Sequence, residues 1–456
     1  MKDYDVVVVG CGSAGSRAAA AAHEAGARTL AIEGAEELGG LCILRGCMPT
    51  KTLLETTHRL AELRDAARFG IRVAEPELDF AAMMERMRTL VARFQRAKVG
   101  AIEGAGYELR RGQARFLDPH TLEVGGERAR ARAVVLATGS VVRPLPFDLP
   151  PGLVRDSDDM FRLEAPPRAV LVTGAGAVGL EFAQWLARLG TKVVAANRSP
   201  WLHRDDPELG AALMAALGEE LLVRAPSELL AAEPCAAGVR VRLRLPEGRV
   251  EEHEVDWVLN AQGRVPKVAG LSLERVGLNA VDLAGLGPDQ RAPVAHVFVA
   301  GDATGANMIL HEANLEGRVA GLNAAAVARG EEPSAAYDES TPRLFALFTD
   351  PPVAMVGATP QQLESRGVPF RAARKDFPSQ GRGIVTGARH GFVRLLAEAN
   401  GGRVLGCQIF GARADDLIHI PAAVMRLGGT VAQMHGIPWY HPTLAEAFIE
   451  VTRALL

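Results

Sequence analysis

Cysteine is scarce in this chain of 456 residues, with five copies at positions 11, 42, 47, 235 and 407. Their odd number and wide scatter exclude the disulfide framework of a small secreted protein. Apolar runs all fall far short of the roughly 20 residues that a membrane-spanning helix needs. The net charge is −3 with both signs spread throughout, so no basic stripe points to nucleic acid. We therefore expect a cytoplasmic protein that engages neither membrane nor nucleic acid.

Lysine is also rare, with six copies against 45 arginines, which draws attention to Lys51.

The first predicted strand begins almost at Met1, so no signal peptide is expected. The length is too great for a single hydrophobic core and predicts two to four domains.

A glycine-rich turn follows the first predicted strand. The β-branched run from Asp5 to Gly10 leads into Gly10-Cys11-Gly12-Ser13-Ala14-Gly15, which opens an alanine-rich helix ending near Gly26. The next strand, Arg28 to Ile32, is followed by Glu33. A G-x-G-x-x-G turn between strand and helix, with an acidic residue about 20 positions on, is typical of dinucleotide binding. The glycines let the backbone approach a pyrophosphate, and Glu33 would take the adenosine ribose hydroxyls.

The same unit recurs near the middle of the chain. Ala169 to Thr173 predicts a strand, Gly174-Ala175-Gly176-Ala177-Val178-Gly179 opens a helix to Gly190, and Lys192 to Ala196 predicts the next strand. Two such units imply two bound dinucleotides, most commonly for electron transfer from a nicotinamide to a flavin. The fold class is therefore predicted to be α/β, with two Rossmann-like dinucleotide-binding domains.

Cys42 and Cys47 follow the first unit, in the run Gly39-Gly40-Leu41-Cys42-Ile43-Leu44-Arg45-Gly46-Cys47-Met48-Pro49-Thr50-Lys51. On a regular helix the two would lie about 140° apart, with Cα atoms near or beyond the roughly 7 Å limit for a disulfide. If they bond, the backbone at Cys42 must be distorted, which the neighbouring glycines and Pro49 permit. A strained disulfide near a helix start is easily reduced. Taken alone, the pair could equally be two buried structural cysteines.

These features resemble the flavin-dependent pyridine nucleotide–disulfide oxidoreductases, the group of dihydrolipoamide dehydrogenase, glutathione reductase and mercuric reductase. The resemblance runs essentially end to end and favours a redox role for the cysteine pair. Besides the first glycine turn and the cysteine run, the matching motifs are Ala137-Thr138-Gly139, Gly179-Leu180-Glu181-Phe182-Ala183, Gly263-Arg264, Ala300-Gly301-Asp302, Thr349-Asp350-Pro351, Val356-Gly357 and His441-Pro442-Thr443-Leu444-Ala445-Glu446.

The resemblance implies a division of the chain into four segments. Residues 1–145 and 267–335 would form the FAD-binding domain, and residues 146–266 the NAD(P)-binding domain. Residues 336–456 would form a C-terminal α+β interface domain, through which the chain makes a homodimer.

The resemblance also implies sets of cofactor-binding residues and no metal ligands. Asp302 would lie near the ribityl chain of FAD, and Lys51 beside the flavin ring, paired with Glu181. The residues implied for FAD are Gly10, Gly12, Ser13, Ala14, Gly15, Glu33, Gly40, Leu41, Cys42, Lys51, Ala114, Thr138, Gly139, Asp302 and Leu310. Those implied for NAD(P) are Gly174, Gly176, Val178, Gly179, Glu181, Asn197, Arg198, Arg204, Gly263 and Arg264.

The implied catalytic residues are Cys42, Cys47, His441 and Glu446. Cys47 would be the thiolate next to the flavin, and Cys42 would attack the substrate disulfide to form a mixed disulfide that Cys47 resolves. His441 would move the proton, with Glu446 on its other ring nitrogen. In this family the base comes from the partner subunit. Without Glu446, a surface histidine in a proline-rich turn would be the better interpretation.

The nicotinamide coenzyme is predicted from the end of the second unit. An acidic residue there would favour NAD, because a carboxylate accepts the ribose 2′-hydroxyl. The chain instead has the neutral Asn197, followed by Arg198 and, further on, Arg204. A neutral residue with two arginines is the combination that suits the negative charge of a 2′-phosphate. We predict NADPH, with NADH as the alternative if both arginines are simply solvated.

The predicted substrate is a small disulfide, and dihydrolipoamide dehydrogenase-like is the closest broad description. Trp439 stands where lipoamide members usually carry another histidine, and Leu44 where they carry asparagine. The C-terminus lacks the cysteine pair that delivers metal in mercuric reductases. Other possibilities stay open: a glutathione-type or mercuric reductase-like enzyme, a flavin-dependent transhydrogenase or quinone reductase, and a non-catalytic flavoprotein subunit.

Overall fold

The computed structural model describes residues 1–202, 205–306, 308–338, 340–400 and 402–456. Among them the strands are, in chain order, β1 (Lys2–Val9), β2 (Thr29–Glu33), β3 (Glu108–Arg111), β4 (Ala114–Asp118), β5 (Thr121–Val124), β6 (Glu127–Leu136), β7 (Ser140–Val142), β8 (Val154–Arg155), β9 (Ala169–Thr173), β10 (Lys192–Ala196), β11 (Leu222–Arg224), β12 (Glu228–Cys235), β13 (Gly238–Arg244), β14 (Val250–Val255), β15 (Trp257–Asn260), β16 (Arg264–Pro266), β17 (Val297–Val299), β18 (Leu344–Leu347), β19 (Val353–Gly357), β20 (Phe370–Asp376), β21 (Phe392–Glu398) and β22 (Val404–Phe410).

The α-helices of the same residues are α1 (Ser13–Glu24), α2 (Leu41–Arg45), α3 (Cys47–Arg64), α4 (Phe80–Glu103), α5 (Ser157–Met160), α6 (Ala177–Arg188), α7 (Pro207–Leu217), α8 (Leu310–Ala328), α9 (Pro360–Ser365), α10 (Gly381–Val385), α11 (Ala414–Leu417), α12 (His419–Arg426), α13 (Val431–His435) and α14 (Ala447–Leu455). Short 3-10 helices span Ala66–Phe69, Leu273–Val276, Ala280–Leu283, Gly301–Thr304, Phe377–Ser379 and Leu444–Glu446. None of the described helices is long and apolar enough to cross a bilayer.

The chain divides into two compact units, each built from separate stretches. The first unit comprises Met1–Thr52, Met84–Pro144 and Gly263–Glu339. The second comprises Leu53–Met83, Leu145–Gln262 and Ser340–Leu456. The four-segment division given above stays a prediction.

The first unit is built on a sheet of order β3-β2-β1-β6-β5-β4, with β17 also joined to β6. The strands β3, β2, β1, β6 and β17 pair in parallel, whereas β4, β5 and β6 pair antiparallel. The carboxyl half of β1 is a buried valine run, as expected of a strand covered on both faces. Its two neighbours, β2 and β6, connect in opposite directions, so β1 ends at the crevice where such sheets bind ligands.

Small residues bring the helices of this unit close together. On α8, a Cβ added to Gly317 would lie 2.3 Å from the carbonyl oxygen of Ala14, and one added to Gly321 would lie 2.2 Å from that of Ala18. Because neither position has room for a side chain, the backbones of α1 and α8 pack directly on each other. The glycines of α8 therefore permit the close approach of α8 to α1.

The second unit repeats the parallel sheet and adds two antiparallel ones. Its parallel sheet has the order β11-β10-β9-β15-β8, and β12-β13-β14 form a small antiparallel sheet. The C-terminal sheet has the order β18-β19-β22-β21-β20, and its core includes Val393, Ile409 and Phe448 of α14. The predicted fold class of two Rossmann-like regions with a C-terminal α+β region is confirmed.

The glycine turn of the second unit depends on two positions without side chains. Gly174 has a φ of 101°, and an added Cβ would lie 2.3 Å from the carbonyl oxygen of Ala261. At Gly179 an added Cβ would lie 2.0 Å from the carbonyl oxygen of Gly174. Gly176, by contrast, has a φ of −81° and open space around its Cβ direction.

We predict that Gly179→Ala lowers the free energy of unfolding by about 1–3 kcal/mol, because the methyl group overpacks the contact between helix and strand. Gly176→Ala should cost less than about 1 kcal/mol, since only a modest helix-capping preference is lost. Urea unfolding followed by tryptophan fluorescence would compare the two. Equal losses at both positions would contradict this account of the turn.

Candidate active site

Cys42 and Cys47 lie on two successive helices that are broken apart at Gly46. The backbone of Gly46 has φ −141° and ψ −116°, so α2 ends before it and α3 begins after it. An added Cβ on Gly46 would lie 2.9 Å from the carbonyl oxygen of Leu41 and 3.2 Å from the Cα of Cys42. The break brings the thiol of Cys42 within hydrogen-bonding distance of Cys47. With both cysteines free, Cys42 is helical and the backbone departs from helical geometry at Gly46, one of the glycines expected to permit such a departure; the distortion expected of a bonded pair stays a prediction.

Both thiols are in the free form in the structure. The pKa of Cys42 is raised well above its ordinary value, first by the hydrogen bond to Cys47 and then by burial, while Lys51 acts in the opposite direction. Cys42 is therefore a thiol at neutral pH. Cys47 is the first residue of α3, where the positive end of the helix stabilises a thiolate.

The other cysteines have different surroundings. Burial raises the pKa of Cys11 to about 11, and it also raises the pKa of Cys407. Both thiols are therefore protonated at neutral pH. Cys235 ends strand β12 and is half-buried.

A cavity of about 310 Å³ lies at the carboxyl end of β1 and brings together four predicted cofactor residues: Gly10, Glu33, Ala114 and Thr138. Gly10 has a φ of 97°, and an added Cβ would lie 2.2 Å from a backbone carbonyl. Only glycine therefore fits at the end of this strand. The hydroxyl oxygen of Thr138 is buried and has no hydrogen-bond partner within the described part of the chain.

The carboxylate of Glu33 supports this cavity. One oxygen accepts a hydrogen bond from the backbone N–H of Cys11 at 3.0 Å, and the other accepts from that of Ala35 at 2.8 Å. Glu33 thus ties the glycine turn to the end of β2. The adenosine half of FAD could use three features of this cavity: the close backbone approach at Gly10, the carboxylate of Glu33 and the unpaired buried hydroxyl of Thr138.

Asp302 belongs to a hydrogen-bond chain in the same unit. The hydroxyl of Ser140 donates to Asp302 at 2.6 Å and accepts from Nε of Arg264 at 2.8 Å. Arg264 also donates from Nη2 to the carbonyl oxygen of Ser140 at 2.9 Å. Arg264, predicted for NAD(P), is therefore engaged beside Asp302, which was predicted for FAD.

Sequence reasoning missed Ser140 and Lys267, although both had a signal. Ser140 directly follows the Ala137-Thr138-Gly139 motif, and Lys267 lines the cavity beside Thr138. Lys267 is one of only six lysines, so the scarcity that singled out Lys51 would also have found it.

Most of the remaining predicted FAD residues fall at helix starts, and one precedes a strand. Gly12 caps α1, and Gly40 precedes the first residue of α2. The others are Ser13, Ala14 and Gly15 in the first turn of α1, Leu41 at the start of α2, Gly139 before β7 and Leu310 at the start of α8.

In the second unit the predicted NAD(P) residues cluster at the carboxyl end of the parallel sheet. Asn197 follows β10, and its side-chain amide donates to the carbonyl oxygen of Ser199 at 2.6 Å. Arg198 is exposed, with no side-chain partner among the described residues. Arg204 lies outside the described residues. Glu181 is buried on α6 and accepts from the backbone N–H of Phe348 at 3.0 Å; its predicted pair with Lys51 stays a prediction.

His441 and Glu446 form a hydrogen-bonded pair. Nδ1 of His441 lies 2.9 Å from Oε1 of Glu446, whose other oxygen accepts from the backbone N–H of Thr443 at 2.8 Å. These two hydrogen bonds lower the pKa of Glu446, with Thr443 the larger influence, so this carboxylate is ionised at neutral pH. The His441 side chain is 79% exposed. The imidazole is therefore oriented through one nitrogen and keeps the other available.

Comparison with known proteins supports the class that this fold and site define. Residues 4–328 match the pyridine nucleotide-disulphide oxidoreductase family, and residues 345–452 match the dimerisation domain of that family. The chain belongs to this family of FAD- and NAD(P)H-dependent enzymes, and it is a flavoprotein disulfide oxidoreductase.

The relatives cover the whole chain. It is 34% identical to dihydrolipoyl dehydrogenase of Thermus scotoductus, over 100% of this chain and 98% of the relative. It is 28% identical to soluble pyridine nucleotide transhydrogenase of Mycobacterium tuberculosis, over 98% and 96% respectively. Among solved structures, LpdA of Mycobacterium tuberculosis superposes with a TM-score of 0.85 at 25% identity, covering 100% of both chains.

Proposed function

We propose that this enzyme is a cytoplasmic, dihydrolipoamide dehydrogenase-like homodimer that passes two electrons from NADPH through FAD and the Cys42–Cys47 pair to a small disulfide. The observation that carries the proposal is the thiol hydrogen bond between Cys42 and Cys47 across the break at Gly46. A relative named dihydrolipoyl dehydrogenase supports the substrate class. A dimerisation domain supports the homodimer, and few, scattered cysteines support the cytoplasm.

The cavity at the end of β1 would hold FAD. Glu33 would accept the adenosine ribose hydroxyls, Thr138 would gain a partner for its buried hydroxyl, and Asp302 would contact the ribityl chain. When bound, FAD accepts a hydride from the nicotinamide and supplies two electrons to a disulfide. The glycine turn between β1 and α1 would bind the pyrophosphate, because Gly10 and Gly12 let backbone N–H groups approach it.

The two cysteines have unequal roles in reducing the substrate. The Cys42 sulfur attacks one sulfur of the substrate disulfide, forming a mixed disulfide, and the other substrate sulfur leaves and takes up a proton. The Cys47 thiolate then attacks Cys42, releasing the second substrate thiol and closing the Cys42–Cys47 disulfide. Two electrons from NADPH reopen that disulfide, so one disulfide, one NADPH and one proton give two thiols and NADP⁺.

The raised pKa of Cys42 makes a base necessary, because the thiol rather than the thiolate predominates at neutral pH. His441 suits this task, since Glu446 fixes its Nδ1 and leaves Nε2 available. In the homodimer, the partner's His441 would reach the cysteine pair, which explains why the ring is so exposed in a single chain.

NADPH is supported by the end of β10. No carboxylate stands at Asn197 to accept a ribose 2′-hydroxyl, and Arg198 is exposed with its guanidinium uncommitted among the described residues. An arginine is suited to a 2′-phosphate, because its planar fork donates two parallel hydrogen bonds.

Transhydrogenation is the second candidate, favoured by the relative named soluble pyridine nucleotide transhydrogenase. Hydride exchange between two nicotinamides through a flavin needs no thiols. The cysteine variants below therefore separate the two functions.

The first prediction concerns the cysteine pair. In the oxidised holoenzyme, Cys42 and Cys47 should resist iodoacetamide, and both should be alkylated after anaerobic addition of one NADPH per chain, as measured by mass spectrometry. Cys42→Ser and Cys47→Ser should each abolish disulfide turnover, because neither single thiol can close the cycle. Cys235→Ser, a half-buried cysteine on β12, is the matched control and should retain full activity. Disulfide turnover at the normal rate in Cys42→Ser would contradict the proposal. Hydride exchange between NADPH and NAD⁺ that is undiminished in both cysteine variants, with no disulfide turnover in the unmutated enzyme, would favour transhydrogenation.

The second prediction concerns the coenzyme. Arg198→Glu should weaken NADPH binding about ten- to a hundredfold, because a charge-assisted contact worth roughly 1.5–3 kcal/mol is lost. Binding of NADH should change little. Stopped-flow reduction of the flavin by each coenzyme would measure both. Arg366→Glu is the control, since Arg366 is another exposed arginine of the second unit. Equal or faster reduction by NADH in the unmutated enzyme would refute the NADPH preference.

The third prediction concerns the base. His441→Ala should slow disulfide turnover about a hundred- to ten-thousandfold, the usual contribution of a general acid–base. The rate at which NADPH reduces the flavin should stay nearly unchanged, and Glu446→Gln should cause a smaller loss through imidazole orientation.

Mixed dimers test whether the base crosses between subunits. After subunit exchange, a dimer of one His441→Ala chain and one Cys42→Ser chain should regain one working site of its two. No recovery despite demonstrated exchange would show that the base is not supplied by the partner.

A further inference from the structure

The connection between β10 and α7 carries Arg198 and ends at Asp206, the N-cap of α7. Its described residues are 197–202 and 205–206. Several of them are held by side chains from the C-terminal sheet and its neighbours, which belong to the same unit. These contacts link the segment that bears Arg198 to the segment that matches the dimerisation domain of the family.

Two of these contacts lie at the middle and end of the connection. The indole of Trp201 is buried, and its ring centroid lies 6.4 Å from that of Phe345 on β18. The side-chain amide of Gln362 on α9 donates to Oδ1 of Asp205 at 3.2 Å. Apolar packing and a hydrogen bond therefore both come from the C-terminal segment.

The strongest contact is a buried ion pair between Asp206 and Arg394 of β21, whose side chains are 2% and 7% exposed. Nη1 of Arg394 also reaches Oε2 of Glu208 at 2.7 Å, and Nε donates to Gln408 at 3.1 Å. The other oxygen of Asp206 accepts from the backbone N–H of Leu209 at 3.1 Å and so caps α7. Each oxygen of the Asp206 carboxylate thus has a partner, Arg394 for one and the Leu209 N–H for the other.

The restraint on Asp206 extends back along the chain. The carbonyl oxygen of Leu202 accepts from the backbone N–H of Asp206 at 2.8 Å and from that of Asp205 at 3.0 Å. Leu202 follows Trp201, which lies three residues beyond Arg198. On either side of Arg198, the side-chain amide of Asn197 donates a hydrogen bond to the carbonyl oxygen of Ser199.

We propose that Arg394 is a positioning residue for coenzyme selection: its ion pair with buried Asp206 holds the described residues of the β10–α7 connection in place, and among them Arg198 for a 2′-phosphate. The proposal rests on the NADPH preference proposed above. A charge as deeply buried as Asp206 needs its partner. Residues that packing and hydrogen bonds already hold in place, as they do Trp201 and Asp205, lose less conformational entropy when a ligand binds beside them.

The test removes both charges, because removing one would leave the other buried and unpaired. The variant is Arg394→Met with Asp206→Asn, in which asparagine can still cap α7. The matched control is Arg403→Met with Glu398→Gln, which removes an exposed ion pair from the same sheet. The fragments 2′,5′-ADP and 5′-AMP represent the two coenzymes. The holoenzyme is used so that its FAD site is already filled.

Calorimetry should show that the Arg394/Asp206 variant loses about tenfold in its preference for 2′,5′-ADP over 5′-AMP, with the affinity for 5′-AMP within twofold of normal. Hydrogen exchange in peptides covering 198–210 should also become faster. The Arg403/Glu398 variant should change neither measurement, and Arg394→Lys with native Asp206 should restore most of the preference.

The outcomes separate the two proposals. If the unmutated enzyme binds both fragments equally, the NADPH preference fails, and exchange alone then decides whether Arg394 anchors the connection. If the unmutated enzyme prefers 2′,5′-ADP but the variant keeps that preference with unchanged exchange, the role of Arg394 is overturned. Faster exchange with an unchanged preference would likewise overturn the link to coenzyme selection.

Discussion

The interaction on which the redox site depends is the thiol contact between Cys42 and Cys47, and it exists because Gly46 has no side chain. A continuous helix would place the two sulfurs on different faces. The break at Gly46 instead separates α2 from α3 and lets the thiol of Cys42 contact that of Cys47. The same break leaves Cys47 at a helix N-terminus and Cys42 inside a helix. The absence of a side chain at Gly46 thus permits both the contact and the different positions of the two thiols, and in the proposed cycle those positions would give each thiol a separate task.

The two dinucleotide turns follow the same construction but differ in what surrounds them. In each, the strand ends at a glycine with positive φ whose missing Cβ would meet a backbone carbonyl, of Ala137 in the first and Ala261 in the second. Beside the first turn stands Glu33, which braces the loop through two backbone N–H groups. Beside the second stands Asn197, whose amide is turned onto its own loop. Similar backbones therefore offer different chemistry to the adenosine of their ligand.

The C-terminal segment contributes more than a surface for dimerisation. At one end it presents His441, oriented by Glu446 and exposed. Elsewhere its sheet supplies Arg394 to Asp206, at the end of the connection that bears Arg198. In the first case a hydrogen bond from Glu446 orients the imidazole proposed to act on the disulfide. In the second an ion pair fixes the connection that bears Arg198, which is proposed to bind the coenzyme. This segment therefore bears on both the disulfide and the coenzyme halves of the proposed reaction.

The sequence by itself determined the features that depend on neighbouring residues: both strand–glycine–helix units, the order of motifs and the His441–Glu446 spacing. These features could be predicted because the backbone preferences and side-chain chemistry of nearby residues are sufficient to specify them. It placed strands β9 and β10 with their observed bounds. It could not place the helix break at Gly46, the Ser140–Asp302–Arg264 chain or the Arg394–Asp206 pair. Those join residues up to 188 positions apart, and only the folded sheets decide which distant side chains meet.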